Sequence, residues 1–186
     1  MQDIGEDIII RASEGDVGSF EKIYRAYSGF VYNVSLRIAR SHRDAEEVTQ
    51  NVFLILYRKL KSFRFRSSLK TWIYRIAVNL AINHAKKVSK ERDRVVEYDD
   101  SIGIEPSRDV IGENLDREQK EKTIARLLGA LNPDQRACIV LRNINGLSYE
   151  EIAQTLNINI NTVRTRLKRA RERLLTLRRE VMADEL

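Results

Sequence analysis

Residues 148–173 read SYEEIAQTLNININTVRTRLKRARER, and this stretch decides how the C-terminal part of the chain folds. It reads as a helix, a tight turn and a second, strongly basic helix. Ser148 and Glu151 form a capping box, in which the hydroxyl takes an orphan amide and the carboxylate reaches back. Ile152, Ala153 and Leu156 give the first helix an apolar face. Asn157 suits the left-handed conformation that a sharp turn requires. Asn161 is placed to cap the next helix, where Val163, Leu167, Ala170 and Leu174 recur on one side. Away from that stripe lie Arg164, Thr165, Arg166, Lys168, Arg169, Arg171 and Arg173, with Glu172 as the one acid among them. The pattern is a helix-turn-helix whose second helix suits a DNA major groove. A hairpin with a solvated basic face is the plainer alternative. Caps, apolar stripe and charge falling in one register favour DNA.

The bulk properties agree with a polyanionic partner. The 186 residues carry a net charge of +6, and the pI is about 9.5. A hydrophobic content of 42 % with 8 Gly and 2 Pro fits an all-α globular protein. The single cysteine, Cys138, excludes an internal disulfide and points to a reducing compartment. Its setting, ACIVL, reads as a buried small hydrophobe rather than a reactive thiol. The acidic N-terminus, MQDIGEDIIIRASEGD, fits neither a signal peptide nor a membrane span, which predicts a cytoplasmic protein without direct membrane insertion.

Charge and periodicity divide the chain into 1–87, 88–118 and 119–186, two small helical domains joined by a linker. In the first, Ile23, Tyr24, Tyr27, Phe30, Val31, Val34 and Ile38 line one helical face. Ser41 or Asp44 caps a second helix carrying Val48, Val52, Ile55, Leu56 and Leu60. A third begins near Ser67 or Ser68 with the stripe Leu69, Trp72, Ile73, Ile76, Ala77, Leu80, Ala81 and His84. Between Glu91 and Glu118, ten acids stand against four Arg, and Gly103, Pro106 and Gly112 interrupt the pattern, so 88–118 reads as an acidic, mostly unstructured linker. Helical spacing returns with Ile124, Leu127, Leu128 and Leu131. Asn132-Pro133 then starts a helix that Gly146 ends.

Two surfaces of the first domain invite a functional reading. Opposite the third helix's stripe lie Tyr74, Arg75, Val78, Asn79, Ile82, Asn83 and Lys86, and upstream FRFRSSLKTW interleaves rings with cations. Rings stack bases and cations follow phosphate, while the Asn79 and Asn83 amides suit a base edge. Rings that complete a core beneath solvated cations explain the same spacing. On the second helix, apolar groups run almost all round Phe53, Leu54, Ile55, Leu56 and Tyr57. Either a partner protein meets one face, or the helix is buried on several sides.

Three segments together resemble the extracytoplasmic-function group of bacterial sigma factors, the small initiation subunits of RNA polymerase. DAEEVTQNVFLILYRKL (44–60) resembles their core-polymerase-binding segment. FRFRSSLKTWIYRIAVNLAINHAKK (63–87) resembles the segment that melts and reads the promoter −10 element. LNPDQRACIVLRNINGLSYEEIAQTLNININTVRTRLKRARERL (131–174) resembles their −35-reading region. The resemblance implies that Asp44, Glu47, Gln50 and Phe53 grip the clamp helices of the largest polymerase subunit. It implies that Asn79 sits near the pocket for a flipped −10 base, with Lys70, Tyr74 and Arg75 nearby. It places Arg164, Thr165, Lys168 and Arg169 on the −35 duplex, with further cations such as Arg171 on phosphate. An anti-sigma factor is an implied partner. The chain departs from the pattern at FRFRSS, where many relatives have Gly and an acid after FR, and at Asn161 and Lys168 of the basic helix.

Two other classes compete. A conventional helix-turn-helix regulator leaves FRFRSSLKTW without a use. An enzyme acting on DNA needs a catalytic set, but His42 and His84 are isolated in sequence and Asp99-Asp100 reads as a solvated pair. No phosphate-binding Gly loop, zinc spacing or cofactor motif occurs.

Overall fold

The computed structural model describes residues 4–96 and 123–183, and those residues hold helices without strands. The chain divides into two compact units, Met1–Ala81 and Ile82–Leu186.

The first unit opens with α1 (Glu6–Ser13) and α2 (Val17–Ala39). Asp16 caps α2 by accepting the Ser19 amide at 2.9 Å, and hydrogen bonding from the Ser19 side chain, then from its amide, holds the carboxyl below the usual range. α2 buries Ile23, Tyr27, Val31, Val34 and Ile38, the predicted stripe without Tyr24 and Phe30. α3 (His42–Lys59) starts on Ser41, the first of the two predicted caps, whose hydroxyl accepts the Asp44 amide at 3.2 Å. It packs on α2 through Ala45, Val48, Val52, Phe53 and Leu56. A 3-10 turn (Leu60–Ser62) ends it.

α4 (Leu69–Val96) begins after Ser68, whose hydroxyl accepts the Thr71 amide at 3.1 Å. Its buried face is rotated from the predicted stripe, of which Trp72, Ile76, Leu80 and His84 are only half-buried. Leu69, Ile73, Ala77 and Ala81 form one line, and Tyr74, Val78, Ile82 and Ala85 form a second. Helical spacing ranks Tyr74, Val78 and Ile82 as outward, yet all three are buried. α4 also runs past 87 to Val96, so residues 88–96 are helical rather than irregular linker. That stretch lacks Gly and Pro and carries an i,i+4 Lys87–Glu91 pair at 3.9 Å, so local propensity continues the helix. The rest of the acidic segment, with Asp99-Asp100, lies outside the described residues.

In the second unit, helical residues 123–129 (α5) lead to α6 (Pro133–Ile139). Asn132 and Gln135 complete a capping box around Pro133. α6 passes into a π-helical turn (Val140–Ile144), and Gly146 follows at φ +73°. α7 (Tyr149–Leu156) carries the predicted Ser148–Glu151 box, with contacts of 3.1 and 2.7 Å. Asn157 takes the left-handed turn at φ 51°. α8 (Ile160–Ala183) then begins one step earlier than its predicted Asn161 cap. Asn159 is the cap instead, its side-chain oxygen accepting the Asn161 amide at 2.8 Å. Leu131, Cys138, Ile139, Leu141, Ile152, Leu156, Val163, Leu167 and Ala170 form this unit's core. Burial pushes the Cys138 thiol up to about 11, as an inert core residue requires.

Ser148→Ala is expected to cost about 1 kcal/mol of this unit's stability in urea unfolding. Hydrogen bonds from Ser148 hold the Glu151 carboxyl below its ordinary range. That contribution is complete above the unfolded carboxyl pKa and is lost as pH falls through the lower folded value. The largest share comes from the Ser148 backbone amide, which Ser148→Ala retains, so it is Glu151→Gln that is expected to lose less stability on acidification than the parent.

Candidate nucleic-acid interface

α8 buries Val163, Leu167 and Ala170 against its own unit, which turns the opposite side to solvent. Arg164, Thr165, Lys168, Arg169 and Arg171 are all exposed on it. Arg164 Nη1 donates to Asn161 Oδ1 at 2.9 Å, which steers that guanidinium along the first turn. The Thr165 hydroxyl donates back to Asn161 O at 2.9 Å and so presents its methyl and lone pairs outward. Lys168 makes only a long contact with Glu172, 3.9 Å, on the exposed side. Arg166 is drawn out of the row, pairing with Asp134 at 3.2 Å in a partly buried setting.

Arg142 and Tyr149, beside this face, escape sequence reasoning. Arg142 lies over the Tyr149 ring, 5.5 Å from its centre, and donates to Leu147 O at 2.8 Å. Arg171 reaches the same tyrosine's hydroxyl at 3.4 Å. Tyr149, at the start of α7, thus meets one guanidinium over its ring and another at its hydroxyl. Only the tertiary fold joins positions 142, 149 and 171, so no spacing announces them.

On α4, Lys70 and Asn79 are exposed and Arg75 is half-buried. Asn79 Nδ2 donates to Arg75 O at 2.8 Å, and Asn83 follows exposed one turn later on the same helix. Tyr74 does not join them at the surface. It is 6 % exposed, its ring lies 5.4 Å from Phe30, and burial raises its pKa. Loop 63–68 carries a small aromatic stack, with Phe63 5.0 Å from Trp72 and Phe65 4.9 Å from Phe63.

The third surface lies on α3. Glu47 and Gln50 are exposed and Asp44 is half-buried. Phe53 is 5 % exposed and packs edge-on against Tyr24 at 4.7 Å, so it lies beneath this surface. Leu54 stands there instead, 54 % exposed, with Tyr57 beside it at 53 %. The helical repeat explains the exchange: 47, 50, 54 and 57 fall on one face, and 53 falls off it.

No helix among the described residues is long and apolar enough to cross a membrane. None of their His, Cys, Asp and Glu residues cluster as a metal site would need.

Comparison with known proteins accounts for both units. The sigma-70 region 2 family matches residues 23–91, and the sigma-70 region 4 family matches residues 121–174. The RNA polymerase sigma-H factor of Pseudomonas aeruginosa is 32 % identical over 182 residues, spanning 92 % of each chain. The extracytoplasmic-function (ECF) RNA polymerase sigma-E factor of Escherichia coli K12 is 34 % identical over 171 residues, 89 % of each chain. Among solved structures, the sigma factor RpoE of Bartonella quintana, in complex with the anti-sigma factor NepR, aligns with a TM-score of 0.63 at 27 % identity, covering 88 % of this chain and 98 % of that one. CnrH, in complex with the cytosolic domain of CnrY, shares the fold at a TM-score of 0.64 and 20 % identity, over 94 % and 97 % of the two chains. A conventional regulator leaves the region 2 match unexplained. This chain belongs to the extracytoplasmic-function group of the sigma-70 family of RNA polymerase sigma factors.

Proposed function

We propose that this initiation factor divides promoter recognition among the three surfaces just described, acting with core RNA polymerase in the cytoplasm. The observation that carries the reading is the exposed row Arg164, Thr165, Lys168 and Arg169 on a helix whose other side is core. On a −35 duplex, Arg164 suits the paired acceptors of guanine. Thr165, with its proton committed to Asn161, offers a methyl to thymine or lone pairs to an amino group. Arg142, Tyr149 and Arg171 flank that row and are suited to phosphate, which sets register without reading sequence.

The −10 element is assigned to α4, where Lys70 and Arg75 follow the backbone and Asn79 and Asn83 read an unstacked base. Tyr74 supports this face from below. Capture of the base offsets the few kcal/mol of unstacking that opening demands. Core polymerase is assigned to the α3 face of Asp44, Glu47, Gln50 and Leu54, with Phe53 holding the helix in place. An anti-sigma factor is a proposed partner as well, since RpoE is bound by one.

Paired substitutions test the division. Arg164→Ala is expected to cost about 1–3 kcal/mol of holoenzyme affinity on promoters with the matching −35 base and little elsewhere. Asn79→Ala is expected to slow opening, read by permanganate reactivity of unpaired thymines, with −35 binding retained. A uniform loss on every sequence for the first, or equal loss of both steps for the second, contradicts these roles.

A further inference from the structure

Arg166 stands in the middle of the basic helix but not in its exposed row. At about 100° per residue it falls roughly one-sixth of a turn from Arg169, between that row and the buried Val163, Leu167 and Ala170. An arginine side chain is long enough to cross that gap, yet this one is turned inward and is 25 % exposed. Its Nη2 meets Asp134 Oδ1 at 3.2 Å. Beside it lies the Cys138 thiol, which burial keeps neutral and which is only a weak acceptor. Asp134 is therefore the group that holds the guanidinium.

The same carboxylate holds a second cation. Lys86, within the compact unit that starts at Ile82, places Nζ 2.9 Å from Asp134 Oδ2. Asp134 is not occupied in capping α6, since Asn132 and Gln135 close that box. One negative charge thus serves two positive ones in a partly buried setting, where salt screens it less than on open surface. A DNA phosphate brought to the basic row offers Arg166 a competing anion. Asp134 is already in place, so keeping the guanidinium there requires no new ordering of either side chain.

We propose that Asp134 restrains sequence-independent DNA binding: it withholds Arg166 from promoter phosphate, so that the basic helix engages the duplex with one cation fewer than it carries. The proposal rests on the assignment of this helix to the −35 duplex. Phosphate contacts carry no sequence information and add affinity on every sequence alike. Each one also steepens the loss of binding with salt. A further free cation would hold the holoenzyme on DNA of any sequence, in competition with promoters.

The test is holoenzyme binding to a promoter on which it initiates, and to the same fragment with its −35 element scrambled, between about 50 and 200 mM salt. Asn has the size of Asp, and Asn132 still caps α6, so Asp134→Asn is expected to keep the fold. It is expected to bind both fragments more tightly than the parent at low salt, by a like factor. That advantage is expected to shrink about three-fold across the salt range, as one added phosphate contact requires. Two double variants keep the parent's net charge. Asp134→Asn with Lys86→Gln is expected to retain the gain, and Asp134→Asn with Arg166→Gln to return to the parent. Arg166→Gln alone is expected to follow the parent's salt dependence, because that guanidinium is not on DNA. Parental affinity and salt dependence in Asp134→Asn overturn the proposal. A gain that survives loss of Arg166, or that vanishes with Lys86, also overturns it. So does a shallower salt dependence in Arg166→Gln alone, which puts that side chain on phosphate already. Equal binding of intact and scrambled fragments by the parent overturns the −35 assignment itself, and this inference with it.

Discussion

Arg136→Ala is expected to cost the C-terminal unit about 3 kcal/mol or more, among the largest single losses the structure implies. Arg136 is 7 % exposed, which is rare for arginine. Its Nε donates to Leu128 O and its Nη2 to Leu131 O, both at 2.8 Å. Those carbonyls lie at and just past the end of α5, where helix geometry leaves acceptors short of donors, Leu128 O taking the Leu131 amide at 3.3 Å. The guanidinium acts as a cap delivered from the next helix. Deleting it removes two charged hydrogen bonds, each worth roughly 1.5–3 kcal/mol, and leaves Leu128 O with the Leu131 amide alone. Lysine is no substitute, since one ammonium cannot reproduce a planar fork of donors. Urea unfolding of Arg136→Ala and Arg136→Lys checks this, and a loss below about 1 kcal/mol in both contradicts it. A unit of this size has little stability in reserve, so −35-dependent transcription is expected to fall with it.

Leu54→Asp is expected to weaken association with core polymerase by about 2 kcal/mol or more, roughly 30-fold, as loss of an interface anchor does. Its exposure means that melting changes little. Phe53→Ala is expected to behave oppositely. That ring is buried against Tyr24, so its removal opens a cavity and lowers the melting temperature at a cost of about 3–5 kcal/mol. A titration of labelled protein with core polymerase, beside thermal melts, separates the two. Unchanged affinity in Leu54→Asp places the core contact on another face.

The pairing of these two neighbours shows where sequence stops being legible. A helix tells which residues share a side, but not which side faces its own core when apolar groups run nearly all round. The same ambiguity misplaces Tyr74, which spacing sets outward and packing buries. Local signals fare better. Ser148 with Glu151, Asn132 with Pro133, Ser41 and Asn157 are readable because each acts within one turn of backbone. The Asn159 cap shows the limit of even that rule, since neighbouring Asn residues differ by a register only the turn decides. The exposed row of α8 is legible because charge and the Val163/Leu167 stripe alternate in one period. Arg136, the Arg142–Tyr149–Arg171 group and the Asp134 ion pairs are not, because each depends on contacts set by tertiary packing.

The most direct test is run-off transcription with bacterial core RNA polymerase on a pool of promoter fragments, with and without this protein. Start sites that appear only when it is added are expected, with two shared upstream elements at constant spacing. No new start sites and no binding to core, alongside specific duplex binding by the protein alone, would contradict the sigma-factor assignment and leave a conventional regulator in its place.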